Sequence, residues 1–190
     1  MKKLSRSFYQ RNTLDVAKDL LNKIIVHQIK GKTLAGKIVE VEAYIGPEDK
    51  AAHSYNNLRT ARNEVMYGPP GFAYIYLIYG MYYCLNVVTE EINKPAAVLI
   101  RALEPLTGID EMAFNRYGKS AKNLNKRQLI NLTNGPGKLC QAMEITKANY
   151  GQDLTGDTLY ICEDSSASTP VIISTPRINI DYAEEAADYP

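Results

Sequence analysis

The sequence predicts an α+β fold: a single compact domain over residues 1–190, with a curved, mainly antiparallel β-sheet flanked by helices. Three observations predict it. A chain of 190 residues that is 45% hydrophobic falls in the size range of one domain and can bury a core. Runs of β-branched and aromatic residues alternate with short turn sequences. The connections between those runs are too short for repeated βαβ crossovers, so neighbouring strands pair antiparallel.

Taken in order, Asn12 and Thr13 offer a cap for a helix whose apolar residues Leu14, Ala17, Leu20, Leu21 and Ile24 recur at helical spacing. A hairpin follows, from Ile24 to Ile29 and from Leu34 to Tyr44, across a Gly31-Lys32 turn. Phe72 to Ile78, Met81 to Thr89 and Ala96 to Leu103 supply three more strands. After Glu104-Pro105 the pattern turns helical, and a further helix begins near Gly135-Pro136, where proline suits a first helical turn. Short strands are expected to return at Thr158 to Cys162 and Val171 to Ser174.

Composition excludes several classes. No apolar run is long enough to cross a bilayer, and the basic start around Lys2, Lys3 and Arg6 leads into polar sequence, not a signal-peptide core. The expectation is a soluble cytoplasmic protein without a membrane partner. Cys84, Cys140 and Cys162 are few and unclustered, which argues against a disulfide framework or a cysteine zinc site. With His27 and His53 as its two histidines, the chain is expected to use no metal and no cofactor.

Net charge is only +1, but its distribution is uneven. Between Met112 and Met143 there is no acidic residue, whereas Arg116, Lys119, Lys122, Lys126, Arg127 and Lys138 all fall there. Acids gather at Asp181, Glu184, Glu185 and Asp188. The basic segment suits a polyanion, and it equally suits a solvated loop. Asn134-Gly135-Pro136-Gly137-Lys138 resembles the end of a P-loop but lacks the upstream glycine spacing and has Leu139 in place of the magnesium-binding Ser or Thr. Lys138 beside a helix start is a candidate phosphate contact, with plain helix initiation as the alternative.

Alternation along Ile38 to Tyr44 places Val39, Val41 and Ala43 on a core face and Glu40, Glu42 and Tyr44 on the other. A glutamate there is either a solvent-facing edge residue or, in a partly desolvated pocket, a base for water. Gly46-Pro47-Glu48-Asp49 makes a turn, and His53 follows nearby. The chain has no Trp and three Phe, yet spends six of its fourteen Tyr between Tyr67 and Tyr83. Phe would serve a dry core, whereas Tyr suits a pocket that stacks a planar ligand and contacts its edges. Tyr74 and Tyr76 share a strand face, and Tyr79-Gly80 falls where a hairpin must turn. Tyr79 is either packed beside a tight turn or projects as a wedge of the kind that enters base stacks.

Blocks of residues along the chain bear on these alternatives together. Glu40-Val41-Glu42-Ala43-Tyr44 with Gly46-Pro47-Glu48-Asp49 and Ala51-Ala52-His53-Ser54, Arg62-Asn63 with Val65-Met66-Tyr67, Tyr74 through Met81 to Asn86, Leu99-Ile100-Arg101-Ala102-Leu103-Glu104-Pro105 and Asn134 through Leu139 together resemble the alkyladenine (3-methyladenine) DNA glycosylase family. The resemblance spans nearly the whole chain and implies one DNA glycosylase domain over residues 1–190. It implies that Glu42 is the general base for an attacking water and that Arg101 positions this water. Tyr44, His53 and Tyr76 would enclose a flipped base, Tyr79 would intercalate, and Asn86 would disfavour the exocyclic amino group of guanine.

The implied reaction is metal-free hydrolysis of the N-glycosidic bond of 3-methyladenine, 7-methylguanine, ethenoadenine or hypoxanthine in damaged double-stranded DNA. The implied enzyme is a cytoplasmic, nucleoid-associated monomer of a prokaryote. No lysine is assignable as an imine-forming nucleophile, so no associated strand cleavage is expected, and no acid is assignable for protonating neutral bases. After Pro176-Arg177-Ile178 and Asp181-Tyr182-Ala183 the chain stops at Pro190, where members of the family continue into an aromatic and basic segment. The expected consequence is lost packing at a sheet edge with the catalytic set intact. Two rivals are a domain that binds nucleic acid without cutting it and a hydrolase of free nucleosides; the first has no use for Glu42 and Arg101, the second none for a wedge.

Overall fold

The computed structural model describes residues 2–164, 171–178 and 180–189; the side chains of Asp181, Tyr182, Ala187 and Asp188 lie outside the description. Two helices, α1 (Arg6–Tyr9) and α2 (Thr13–Leu20), precede a hairpin of β1 (Ile24–Ile29) and β2 (Lys32–Tyr44). A second hairpin, β3 (Ala73–Ile78) and β4 (Tyr82–Thr89), leads into β5 (Ala96–Thr107). Helices α3 (Ile109–Tyr117), α4 (Lys126–Ile130) and α5 (Pro136–Ala142) follow, and β6 (Leu159–Cys162) closes the sheet. Its order is β3-β4-β5-β2-β1-β6, every pair is antiparallel, and the sheet is curled. The α+β architecture expected from the sequence is the one observed.

The main core lies on one face. Ala43, Ala73, Ile75, Leu85, Val87, Val98 and Ile100 point from the sheet into a cluster with Val16 and Leu20 of α2, Met112 of α3 and Leu139 of α5. Burial of several such side chains at about 1.5–3 kcal/mol each is what holds helices this short, which would not persist alone in water. Helix α2 begins as expected, with the Asn12 side chain accepting from the Leu14 amide at 3.0 Å. It ends at Leu20; Leu14 is exposed and Ile24 belongs to β1.

Three local expectations are corrected. Val39 is not a core residue but is 47% exposed. The cause is a bulge: Ile38 opposes Leu103 and Glu40 opposes Ala102, so Val39 is an extra residue on β2. The chain past Glu104-Pro105 does not turn helical at once, because β5 runs on to Thr107. Pro105 is tolerated because β4 pairs with β5 only over residues 96–99, leaving one side of β5 without a strand at that point. Finally, residues 171–174 form no strand; Val171 is 94% exposed and Ile173 83%, so no packed face supports one. Among the described residues, no helix is long and apolar enough to cross a membrane.

Candidate active site

The sheet face opposite the main core carries every second residue of four strands. Glu42 of β2 opposes Leu99 of β5, Leu99 opposes Asn86 of β4, and Asn86 opposes Tyr74 of β3. Directly opposed residues share a face, so these form one transverse row. The row, with Tyr44, Tyr76, Cys84 and Arg101, lines a cavity of about 600 Å³, within the range that holds a small organic ligand.

Glu42 is buried to 5% exposure, yet no charge on it is stranded. Its Oε1 accepts from the Ile178 amide at 3.0 Å and faces Arg101 Nη1 at 3.3 Å, and its Oε2 accepts from the Tyr44 hydroxyl at 2.9 Å. A carboxylate offers about four lone-pair sites, so among the described residues these partners leave one position on Oε2 for a further donor. Arg101 reaches this place through a second bulge: Glu40 opposes Ala102 and Val41 opposes Ile100, which makes Arg101 an extra residue on β5. Its guanidinium spans both glutamates, with Nε donating to Glu40 Oε1 at 3.2 Å.

The far end of the row is aromatic. His53 meets the Tyr76 ring edge-on, with centroids 4.6 Å apart, and its Nδ1 lies 2.6 Å from the Tyr74 hydroxyl. Burial, helped by the Arg62 guanidinium, lowers the His53 imidazole to about 4. The ring is therefore neutral at neutral pH. Burial also pushes the Tyr74 and Tyr76 hydroxyls well above the usual phenol range. Asn63 fixes the loop that carries His53, donating through Nδ2 to the His53 and Leu58 carbonyls at 2.8 and 2.7 Å. Asn86 is 3% exposed and donates to the Tyr74 carbonyl at 3.2 Å.

Tyr79 sits at the rim, in the turn between β3 and β4. The Met81 amide donates to the Ile78 carbonyl at 3.2 Å, and Tyr79 and Gly80 have φ of 53° and 70°. That is a type I′ turn, which normally takes Asn or Gly at its first central position. Tyr79 is 73% exposed, so no packing compensates its unfavourable backbone. Across the cavity mouth, α5 lies so close to β4 that a Cβ on Gly137 would come within 2.9 Å of Tyr82. Lys138 lines this side, its Nζ donating to Asn131 Oδ1 at 2.6 Å, and Arg116 lies beside it.

The sequence reading missed the wall formed by Arg177, Ile178, Ile180, Ala183 and Ala186. Arg177 pairs with Asp49 through two hydrogen bonds of 2.7 and 2.9 Å, and both side chains are fully buried. Ile180, Ala183 and Ala186 pack with Ala51 beside Tyr44. Ile178 and Ile180 line the Glu42 end of the cavity. Separated by 128 residues, Asp49 and Arg177 leave no local pattern that could have linked them.

The arrangement can grip a flat ring against tyrosine and histidine and present a buried carboxylate to it. The sequence profile of the methylpurine-DNA glycosylase family matches residues 7–190. A protein of Alkaliphilus oremlandii named "Putative 3-methyladenine DNA glycosylase" is 59% identical over 188 residues, covering 99% of this chain and 93% of its own. Proteins of the same name from Desulfitobacterium hafniense and Clostridium acetobutylicum are 56% and 54% identical, covering 100% and 98% of this chain and 93% and 91% of theirs.

Proposed function

The chain belongs to the methylpurine-DNA glycosylase family and is a DNA N-glycosylase of DNA repair, and from that premise we propose that it rotates an alkylated or deaminated purine out of duplex DNA into this cavity and hydrolyses the N-glycosidic bond. One observation carries the proposal: Glu42 is buried at the end of an aromatic cavity, and the partners on it among the described residues leave a lone-pair position on Oε2 where a water could sit.

In the proposed reaction Tyr79 fills the gap left in the base stack, at an unstacking cost of a few kcal/mol per step. The extruded base lies among Tyr44, His53 and Tyr76. Alkylation at N3 or N7 makes the purine cationic and a ready leaving group, while the sugar gains oxocarbenium character. Glu42 accepts a proton from water on the exposed sugar face, and its charge stabilises the developing cation. Arg101 orients that water and, bonded to Glu40 and Glu42 together, keeps the carboxylate in place. Asn86 stands where the 2-amino group of a normal guanine would have to fit. Lys138 is the proposed phosphate contact. No lysine is assigned as an imine-forming nucleophile, so the proposed reaction is monofunctional, without strand cleavage. No cofactor enters these steps, and the enzyme is proposed to act as a monomer.

The test is incubation of the purified protein, at one fixed salt concentration, with duplexes carrying 7-methylguanine, ethenoadenine or hypoxanthine, and with the free nucleosides. Free base should appear from at least one duplex and from no nucleoside, and borohydride should trap no protein–DNA adduct. Tight lesion binding without release would favour a recognition module, and cleavage of nucleosides would favour the nucleoside hydrolase.

A further inference from the structure

Arg177, a residue outside the cavity's row of functional side chains, touches the neighbours of Glu42 on β2. We infer that Arg177 is a positioning residue for the glycosylase reaction, setting Glu42 through two contacts of its own side chain and through the amide of the next residue. The inference rests on the assignment of Glu42 proposed above.

The contacts converge on a short stretch of β2. Arg177 Nη1 donates to the carbonyl of Ala43, the residue between Glu42 and Tyr44, at 3.1 Å. Its guanidinium lies over the Tyr44 ring at 4.7 Å, and the hydroxyl of that ring donates to Glu42 Oε2. The next residue along the chain, Ile178, gives its amide to Glu42 Oε1. Of the three partners of the carboxylate, one lies under the Arg177 guanidinium and another is the amide that follows Arg177 in the chain. Arg177 is itself held by Asp49 and by the Ala186 carbonyl at 2.7 Å.

Stability alone is a poor account of such a residue. A fully buried ion pair gains little over an apolar pair of the same volume, because desolvation consumes much of the attraction. Here the Arg177 Nε is also buried without a hydrogen-bond partner among the described residues, a further cost. An apolar pair cannot hold the Ala43 carbonyl or place a cation on Tyr44. A lysine can meet Asp49 but lacks the planar fork that reaches both carbonyls and stacks on the ring.

The experiment compares Arg177→Lys, the double variant Arg177→Met with Asp49→Leu, and Glu42→Gln with the unaltered protein. It measures thermal midpoint, affinity for a duplex holding a stable abasic-site analogue, and single-turnover base release at saturating enzyme. Removing both charges together leaves no unpaired ion but strips partners from the Ala43 and Ala186 carbonyls and the Ile45 and Ala51 amides, so the double variant should fold with a lowered midpoint, and its folded fraction should bind the duplex within about threefold. Its single-turnover rate should nevertheless fall at least tenfold, as should that of Arg177→Lys. A double variant that regains both stability and rate would overturn the inference and leave Arg177 a packing residue. Rates that fall only in proportion to lost duplex affinity or folded fraction would overturn it as well. If Glu42→Gln kept full activity, the assignment of the base would fail; if Glu42→Gln were inactive while both Arg177 variants were fast, only this inference would.

Discussion

At the scale of single residues, the site depends on where burial leaves charge. Glu42 keeps its carboxylate inside the protein because three partners meet it, and Arg101 serves two glutamates at once. His53 shows the opposite outcome: burial and Arg62 lower it to about 4, so it stacks as a neutral ring. This carries a pH consequence with a definite sign. The folded value lies below the unfolded value of 6.5, so between them the unfolded chain binds the proton more readily. The stabilising contribution of a neutral His53 is complete above about 6.5 and is lost as pH falls towards about 4. Urea midpoints measured from pH 7 down to pH 4.5 should therefore drop, and His53→Gln should flatten that part of the curve. An unchanged slope in the variant would assign the acid sensitivity to other groups.

At the scale of elements, period-two alternation made most of the sheet legible, and bulges marked where it ceased to be. The strands carrying Tyr74, Tyr76 and Asn86 follow simple alternation and fall on the expected face. In β2 and β5 the paired bulges at Val39 and Arg101 break the period, which is why Val39 was misplaced. A bulge depends on the partner strand's register, and a single strand's sequence does not contain it. The hairpin tip was legible from Tyr79-Gly80, but the left-handed backbone of Tyr79 was not. A bulky residue in that region costs about 1–2 kcal/mol, which asparagine largely avoids. Tyr79→Asn should thus stabilise the protein by about 1 kcal/mol while slowing excision from duplex DNA at least tenfold. The same variant should excise from single-stranded DNA nearly as fast as the parent, since no stack needs filling there. Urea unfolding and single-turnover rates on the two substrates check both halves.

At the scale of the whole molecule, one sheet separates two tasks, with the core on one face and the cavity on the other. The residues of the cavity row were identifiable because they lie in compact blocks of sequence. The wall that closes the Glu42 end was not, because it is tied by Asp49 and Arg177 from distant parts of the chain. Net charge of +1 puts the electrostatics of DNA binding on a few local cations. If Lys138 meets a phosphate, Lys138→Ala should weaken binding to damaged and undamaged duplexes alike and reduce the slope of log affinity against log salt by about 0.9. A loss confined to damaged duplexes would place Lys138 against the lesion instead. The claim on which the rest depends is that Glu42 activates the attacking water, and single-turnover release of 7-methylguanine from duplex DNA by Glu42→Gln tests it most directly. The account predicts a rate at least a hundredfold lower with duplex affinity preserved; release at the parent rate by a folded Glu42→Gln protein would contradict it.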